Sequence, residues 1–468
     1  MGALVCASTA ALAEDDESQV RFGGRFSTAM QLGLSGCSSA ESCRFLNFRN
    51  ANVLGLTVDA APSKTVELKA GVAVRNINIA EIETFDDTGD IAKVQPVDIR
   101  PLESKIVLYD LFGAEGLDLT AGYVRVAWGT ADGVSPTDIV NAYDLEDGSG
   151  FDARLPTMAV GLGYTVSRFR FDAWMLPLFE PAILPVDNID VTALGDTANV
   201  FDLRDLSSDA PPEIRQVETP TTTPENDASN IAVAARARWE SPVGDFSLMF
   251  YRGHESLPQA HGDARLTGFQ TSNRVDLGVP LVYPTLMMAG ADWRGELGGD
   301  FSGWVDVGVF FPGEAALSVS RSQLEALVTL GRIDAVPSPL PRQVTQDDAP
   351  YVKVAAGADV LLDDTVYLNL QYAYGSALER QRADLHHYAL LAMRISLLDG
   401  RLELEARGVL EATASGSLGF QAGGAISWLH GDAARLSLST TFLDGESGTT
   451  LRKLDRMSHL RLSVDTRF

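Results

Sequence analysis

The side chains in this chain that could do chemistry are mostly charged, and their spacing favours electric fields over bond-making. Arg25, Arg75, Arg236, Arg238 and Arg394 fall on the polar side of segments that alternate polar with apolar residues, as in ARARW at 235–239. Acidic residues such as Glu67, Asp172, Asp292, Asp306, Asp359, Glu405 and Asp465 are interleaved with them. A second set sits in one stretch, WGTADGVSPTDIVNAYDLED at 128–147, which carries Asp132, Asp138, Asn141 and Asp144. Fixed cations facing fixed carboxylates across water create a local field that orders solvent and sorts ions. The carboxylates could also hold Ca²⁺, although their spacing is not that of an EF-hand loop, and Asp and Asn are ordinary turn formers.

Covalent chemistry finds little support. The six histidines, His254, His261, His386, His387, His430 and His459, accompany no G-x-S-x-G elbow and no evident Ser–His pairing. No cofactor and no metal are expected, although a surface site near His254 and His261 stays open. Cys37 and Cys43 lie six apart in GCSSAESC. In an exported protein they would form a local disulfide, the alternative being two free thiols.

Strands must position these groups. In the last stretch, MSHLRLSVDTRF, residues Leu460, Leu462, Val464, Thr466 and Phe468 share one face, and His459, Arg461, Ser463, Asp465 and Arg467 share the other. Such a period of two describes a strand that is apolar on one side. A terminal strand ending in an aromatic residue resembles the closing strand of Gram-negative outer-membrane barrels. That resemblance implies that Phe468 is presented to their assembly machinery. The same alternation recurs at Val20–Leu34, Val66–Ile79, Thr157–Val166, Tyr351–Leu362, Val366–Tyr374 and His386–Leu397. About 18 strands are expected, with 16 possible because Leu266–Val279 is ambiguous. Tight turns such as Gly298-Gly299-Asp300 and Asp399-Gly400 alternate with long polar loops. This asymmetry predicts an all-β transmembrane antiparallel barrel with short periplasmic turns and long extracellular loops. The charged faces would line its lumen, and Trp239, Trp293, Phe311, Tyr374, Trp428 and Phe442 would form interfacial girdles.

Composition is consistent with this reading. A net charge of −26 argues against nucleic acid as a partner. No apolar run approaches the ~20 residues of a spanning helix. The start, MGALVCASTAALAEDD, ends an apolar run at Ala11-Leu12-Ala13. It reads as a signal peptide over 1–13, with the barrel over 14–468. Because it lacks a basic start, the true start codon is expected upstream. Long acidic loops carry Glu81, Asp86, Asp87, Asp187, Asp196 and Asp205, which could share divalent cations with lipopolysaccharide. Glu314–Arg332 has helical periodicity through Ala316, Leu317, Leu324, Leu327 and Leu330, predicting a helix at the barrel mouth.

The W-G-x-x-D…P-x-D-x-x-N-x-x-D pattern after a strand resembles a segment of large porin-like outer-membrane proteins, including the alginate-export-like and related uncharacterised barrel families. The resemblance implies that the loop folds inward as a constriction, with Asp132, Asp138, Asn141 and Asp144 facing the lumen. It also implies a channel in the Gram-negative outer membrane for passive or substrate-specific diffusion of small polar or charged solutes, in contact with lipid and lipopolysaccharide. Two alternatives stay open: a structural or surface-binding barrel without an open pore, and an outer-membrane enzyme.

Overall fold

The computed structural model describes residues 19–34, 48–77, 97–145, 153–183, 213–267, 274–329, 331, 334–363 and 365–468. The proposed signal peptide, the Cys37–Cys43 pair and most of the acidic loop residues lie outside them.

Eighteen antiparallel strands close into a barrel. They are β1 (Gln19–Gly33), β2 (Phe48–Ser63), β3 (Val66–Ile77), β4 (Val97–Pro101 and Ser104–Leu108), β5 (Leu117–Val124) and β6 (Thr157–Val166). Next come β7 (Phe169–Leu176), β8 (Ala232–Ser241), β9 (Gly244–His254), β10 (Thr285–Gly298), β11 (Phe301–Pro312) and β12 (Tyr351–Leu362). The last are β13 (Val366–Tyr374), β14 (His387–Leu397), β15 (Leu402–Ala412), β16 (Leu418–His430), β17 (Ala434–Gly445) and β18 (His459–Arg467). Each pairs with its neighbours in the chain, and β18 returns to β1 in a register running from Arg25↔Arg467 to Gly33↔His459. Closure extends to the last residue: Gly24 N–H donates to Phe468 O (2.7 Å), and Phe468 N–H donates to Gly24 O (3.0 Å). A side chain at Gly24 would meet the Phe468 ring at 2.3 Å, so the glycine makes room for the terminal aromatic.

Alternation sets the two faces. Phe22, Leu56, Leu162, Phe171, Leu248, Val305, Leu370, Leu391, Ile426 and Leu462 all project from the outer surface and are exposed. An apolar exterior on a closed barrel meets hydrocarbon, which cannot satisfy unpaired polar groups, so the barrel spans a membrane. Trp239, Trp293 and Trp428 lie toward the periplasmic ends of their strands and Phe311, Tyr374 and Phe442 toward the extracellular ends, all at outward-facing positions.

The core sits inside. Val124, Val126, Trp128, Val140, Leu176, Met249, Tyr251, Met288, Phe310 and Tyr351 pack where the connection after β5 meets the inner wall. A second cluster lies in the extracellular connections, where a five-stranded sheet joins Glu213–Glu218, Arg274–Gly278, Gly262–Thr267, Ala315–Val319 and Arg342–Gln346. Here the expected helix over 314–332 is corrected. Ala315–Val319 is a strand, paired with Arg342–Gln346 and Gly262–Thr267, and only α1 (Arg321–Thr329) is helical. Apolar residues of two different elements had merged into one apparent helical face; Leu317 belongs to the sheet and Leu324 and Leu327 to the helix that caps it. The described ends of the ambiguous stretch, 266–267 and 274–278, pair with each other in this sheet and not in the barrel. Val97–Pro101 opens β4.

Candidate functional site

The connection from β5 to β6 runs inside the barrel, and its attachment begins at Gly129. This residue has φ +82°, and a Cβ on it would lie 2.0 Å from Ser135 Oγ and 2.8 Å from Asp306 Oδ2, so only glycine fits the turn. The turn aims three successive groups at Asp306 on the inner face of β11. Thr130 N–H donates to both of its oxygens (3.1 Å each), Thr130 Oγ1 donates at 2.6 Å and Ala131 N–H at 3.1 Å. Ser135 Oγ adds a fourth donor at 2.7 Å. Asp306 is fully buried, which a carboxylate tolerates only with such a donor set. Small wall residues accommodate the strap: a Cβ on Gly290 would meet Thr137 at 2.8 Å, and Gly308 faces Pro136 O.

Further along the wall, Asn369 Nδ2 donates to Asp132 (2.8 Å), Tyr367 OH donates to it at 3.4 Å, and Gln371 Nε2 donates to Val134 O (2.8 Å). Burial pushes the Asp132 carboxyl up in pKa, against the nearby Arg294. Asp138 is also pushed up by burial, against its ion pair with buried Arg154 (3.3 Å). The Arg154 guanidinium donates to Asp138 O and stacks 3.8 Å over the Tyr143 ring. Asn141 does not face the lumen. Buried at the loop base, it accepts from Val126 N–H (2.7 Å) and donates to Val124 O (3.0 Å) and Leu155 O (2.9 Å), tying the two legs together. Asp144 is half-buried beside a bridge to Ile183. The four residues of the motif therefore divide: Asp132 meets the wall, Asp138 and Asn141 stiffen the loop, and Asp144 joins it to the next connection.

All five arginines singled out in the sequence lie at inward-facing positions, and four are ion-paired. Arg25 bonds Asp465 (2.8 Å), Arg75 lies 3.9 Å from Asp98, Arg236 bonds Asp172 (3.2 Å) and Arg238 bonds Asp245 (2.6 Å). Arg236 also lies over the loop's Trp128 ring at 5.8 Å. Arg394 is exposed over the Tyr367 ring. Alternation placed Asp306 on the wall, but nothing in the sequence linked it to the loop. Arg154, Asn369 and Gln371 carried no signal that would single them out.

One metal-like grouping occurs among the described residues: Glu379, His386 and Glu411, with ligand atoms within 4.8 Å of one another. The protein's own donors already occupy every carboxylate oxygen. Glu411 accepts from His386 Nδ1 (2.6 Å), Thr450 N–H (2.6 Å) and Leu451 N–H (2.8 Å). Glu379 accepts from Tyr388 OH, Thr450 Oγ1 (3.2 Å) and Ser376 N–H (2.8 Å). The grouping is a proton-held latch that joins the connection after β13, the top of β15 and the connection after β17. Its hydrogen bonds to Glu379 and then Glu411 push the His386 pKa up to about 9.

No family model matches this chain, and no curated protein matches it. Solved structures do. The Pseudomonas aeruginosa protein OccK1 (OpdK) aligns with a TM-score of 0.50 and 11% identity over 96% of this chain and 98% of that one. The same protein's structure with vanillate gives 0.50 at 10% identity over the same shares. Another OpdK structure, described as an outer membrane protein, gives 0.49 at 10% identity over 96% and 98%. What is shared is the fold, a closed antiparallel β-barrel of the kind these outer-membrane proteins have. At this identity the likeness is one of architecture, and the chemistry must come from the residues described above.

Proposed function

We propose that this protein is an outer-membrane channel through which small polar or charged solutes diffuse, passively or with substrate preference. The observation that carries this is the lopsided filling of the barrel. The inward loop covers one side of the wall, where Asp306 takes the loop's donors and Asp172, Asp292 and Lys353 are also buried. Away from the loop, Arg25 and Arg407 stay exposed to the lumen, the Arg25 side chain to 62%, and Arg394 is exposed at the loop's edge over Tyr367. A solute passing the loop would travel along a wall where Arg435 bridges Glu403 and Glu405 (3.0 and 3.1 Å) and Arg407 meets Glu405 (3.5 Å). Mixed fixed charge at a narrowing sorts solutes by charge and dipole without any covalent step. The same reading includes export by the 1–13 segment, a Cys37–Cys43 disulfide, contact with membrane lipid and lipopolysaccharide, and recognition of the strand ending in Phe468 by barrel-assembly machinery.

Single-channel recording of the purified barrel in a planar bilayer under a salt gradient tests the proposal. Discrete conductance steps are expected, and the sign of the reversal potential reports which wall charges dominate. A folded but silent barrel would overturn it. The second reading, a surface-binding barrel, would then take its place, favoured by the extracellular sheet and α1 with their own core.

A further inference from the structure

The outer face of the barrel is uncharged at its lipid-facing positions, with two exceptions among the described residues. One is Asp444, near the extracellular end of β17, which is paired with Arg452 at 2.8 Å. The other is Arg252, which shares its outward face of β9 with Phe246, Leu248 and Phe250 and is exposed. Among the described residues no carboxylate lies within ion-pair distance of it. Arg252 stands two residues below the extracellular end of its strand, opposite Val233 on β8 and Met287 on β10, and Met287 is opposite Phe311 on β11. This is the level of the outer girdle, where a cation costs far less than at mid-membrane. Arg252, Met287 and Phe311 line a groove whose upper rim is polar: Ser229, Asn230 and Thr285. Asn230 is held there, donating from Nδ2 to Glu225 O (3.0 Å) and Asp227 Oδ1 (3.2 Å), with its Oδ1 3.1 Å from His254 Nε2.

We propose that this groove binds a phosphorylated, acylated glycolipid of the outer leaflet, with Arg252 holding its phosphate. The inference rests on the outer-membrane placement of the barrel but not on an open pore. A guanidinium matches two phosphate oxygens at once, which an ammonium does not. The hydroxyl and amide groups of the rim suit sugar hydroxyls, while Phe250 and Leu248 beneath offer an apolar surface to acyl chains. A free phosphate would satisfy Arg252 alone and leave this surface unused.

The test is native mass spectrometry of the full barrel in detergent, titrated with bisphosphorylated lipid A, dephosphorylated lipid A, phosphatidylglycerol or inorganic phosphate. Wild type is expected to bind bisphosphorylated lipid A at least tenfold more tightly than Arg252→Ala, the order of one charge-assisted contact. Arg252→Lys should fall between them, and Arg452→Ala should match wild type. Millimolar inorganic phosphate should not displace the lipid. Equal binding by wild type and Arg252→Ala, or by phosphorylated and dephosphorylated lipid A, would overturn the proposal. Phosphatidylglycerol binding as tightly as lipid A would overturn the glycolipid assignment. Conductance of the same samples keeps the two readings apart. Arg252 lies outside the lumen, so Arg252→Ala should conduct as wild type does, and a silent pore with intact lipid discrimination would sink the channel alone.

Discussion

The two sides of the lumen solve opposite problems with the same residue types. Under the loop, Asp306 is buried and surrounded by donors from one short strap. Across the lumen the arginines are partly exposed: Arg25 meets Asp465 on the adjoining strand (2.8 Å), Arg407 meets Glu405 on its own strand (3.5 Å), and Arg435 reaches Glu403 and Glu405 two strands away (3.0 and 3.1 Å). A buried charge must have its partners in place, because removing them leaves the full desolvation cost. An exposed pair contributes ~0–1 kcal/mol to stability and is screened by salt. The covered side therefore fixes geometry, and the bare side is free to set the field.

The largest expected effect follows from breaking the covered side. Asp306→Ala orphans two backbone donors and two hydroxyls, each costing about 1–3 kcal/mol if it stays buried. The loop should detach and leave the wall, raising single-channel conductance and weakening ion discrimination while the barrel still folds. Conductance equal to that of wild type in a folded Asp306→Ala barrel would show that the strap is not what narrows the pore. Gly129→Val should act in the same direction by another route, since a side chain there collides with Ser135 and Asp306 in a left-handed backbone. Protease sensitivity of the loop in the two variants compares them directly.

At the margin of the covered side, where Arg236 bonds Asp172 and lies over the loop's Trp128 ring, the double change Arg236→Ala and Arg238→Ala should lower anion preference without unfolding the barrel. Asp172 keeps Arg170 at 2.9 Å, so its buried carboxylate is not abandoned, while Asp245 and Glu240 lose their shared cation. A reversal potential unmoved from wild type under a salt gradient would remove these arginines from the selectivity assignment. Arg394→Ala should shift the potential in the same direction but less, because one exposed cation is lost.

What could be read in advance divides along similar lines. Thr157–Val166, Tyr351–Leu362 and Val366–Tyr374 were expected and found with the same ends, because a period of two is written locally in every strand that faces lipid on one side. The strand number of 18 follows from the same alternation. The strap was recognisable as a motif, and Asp306 as a wall acid, but their meeting spans 176 residues of chain and leaves no local trace. Asn141 shows the complementary limit. In a list of acids and amides it looked like a lumenal group, yet its side chain does the work of a backbone, closing the loop where main-chain pairing stops. The Ala315–Val319 strand was absorbed into a helix because five residues are too few to separate the two periods.

The smallest effect concerns the latch above both walls. His386 gains hydrogen bonds to Glu379 and Glu411 in the folded protein, which raises its pKa from 6.5 to about 9. A raised folded pKa stabilises the charged form, so the contribution is fully present below pH 6.5 and is lost as pH rises through about 9. The carboxylates would then face one another across a neutral ring, and the connections after β13 and β17 would loosen at the mouth while the strands below stay paired. Limited proteolysis of 446–458 across that pH window should show increasing cleavage for wild type. His386→Gln, which lacks the charge at every pH, should be cleaved more at low pH and show no such rise. If both proteins gave the same pH profile, the carboxylate pair would be held by Tyr388, Thr450 and the backbone donors, and the histidine would be a spacer.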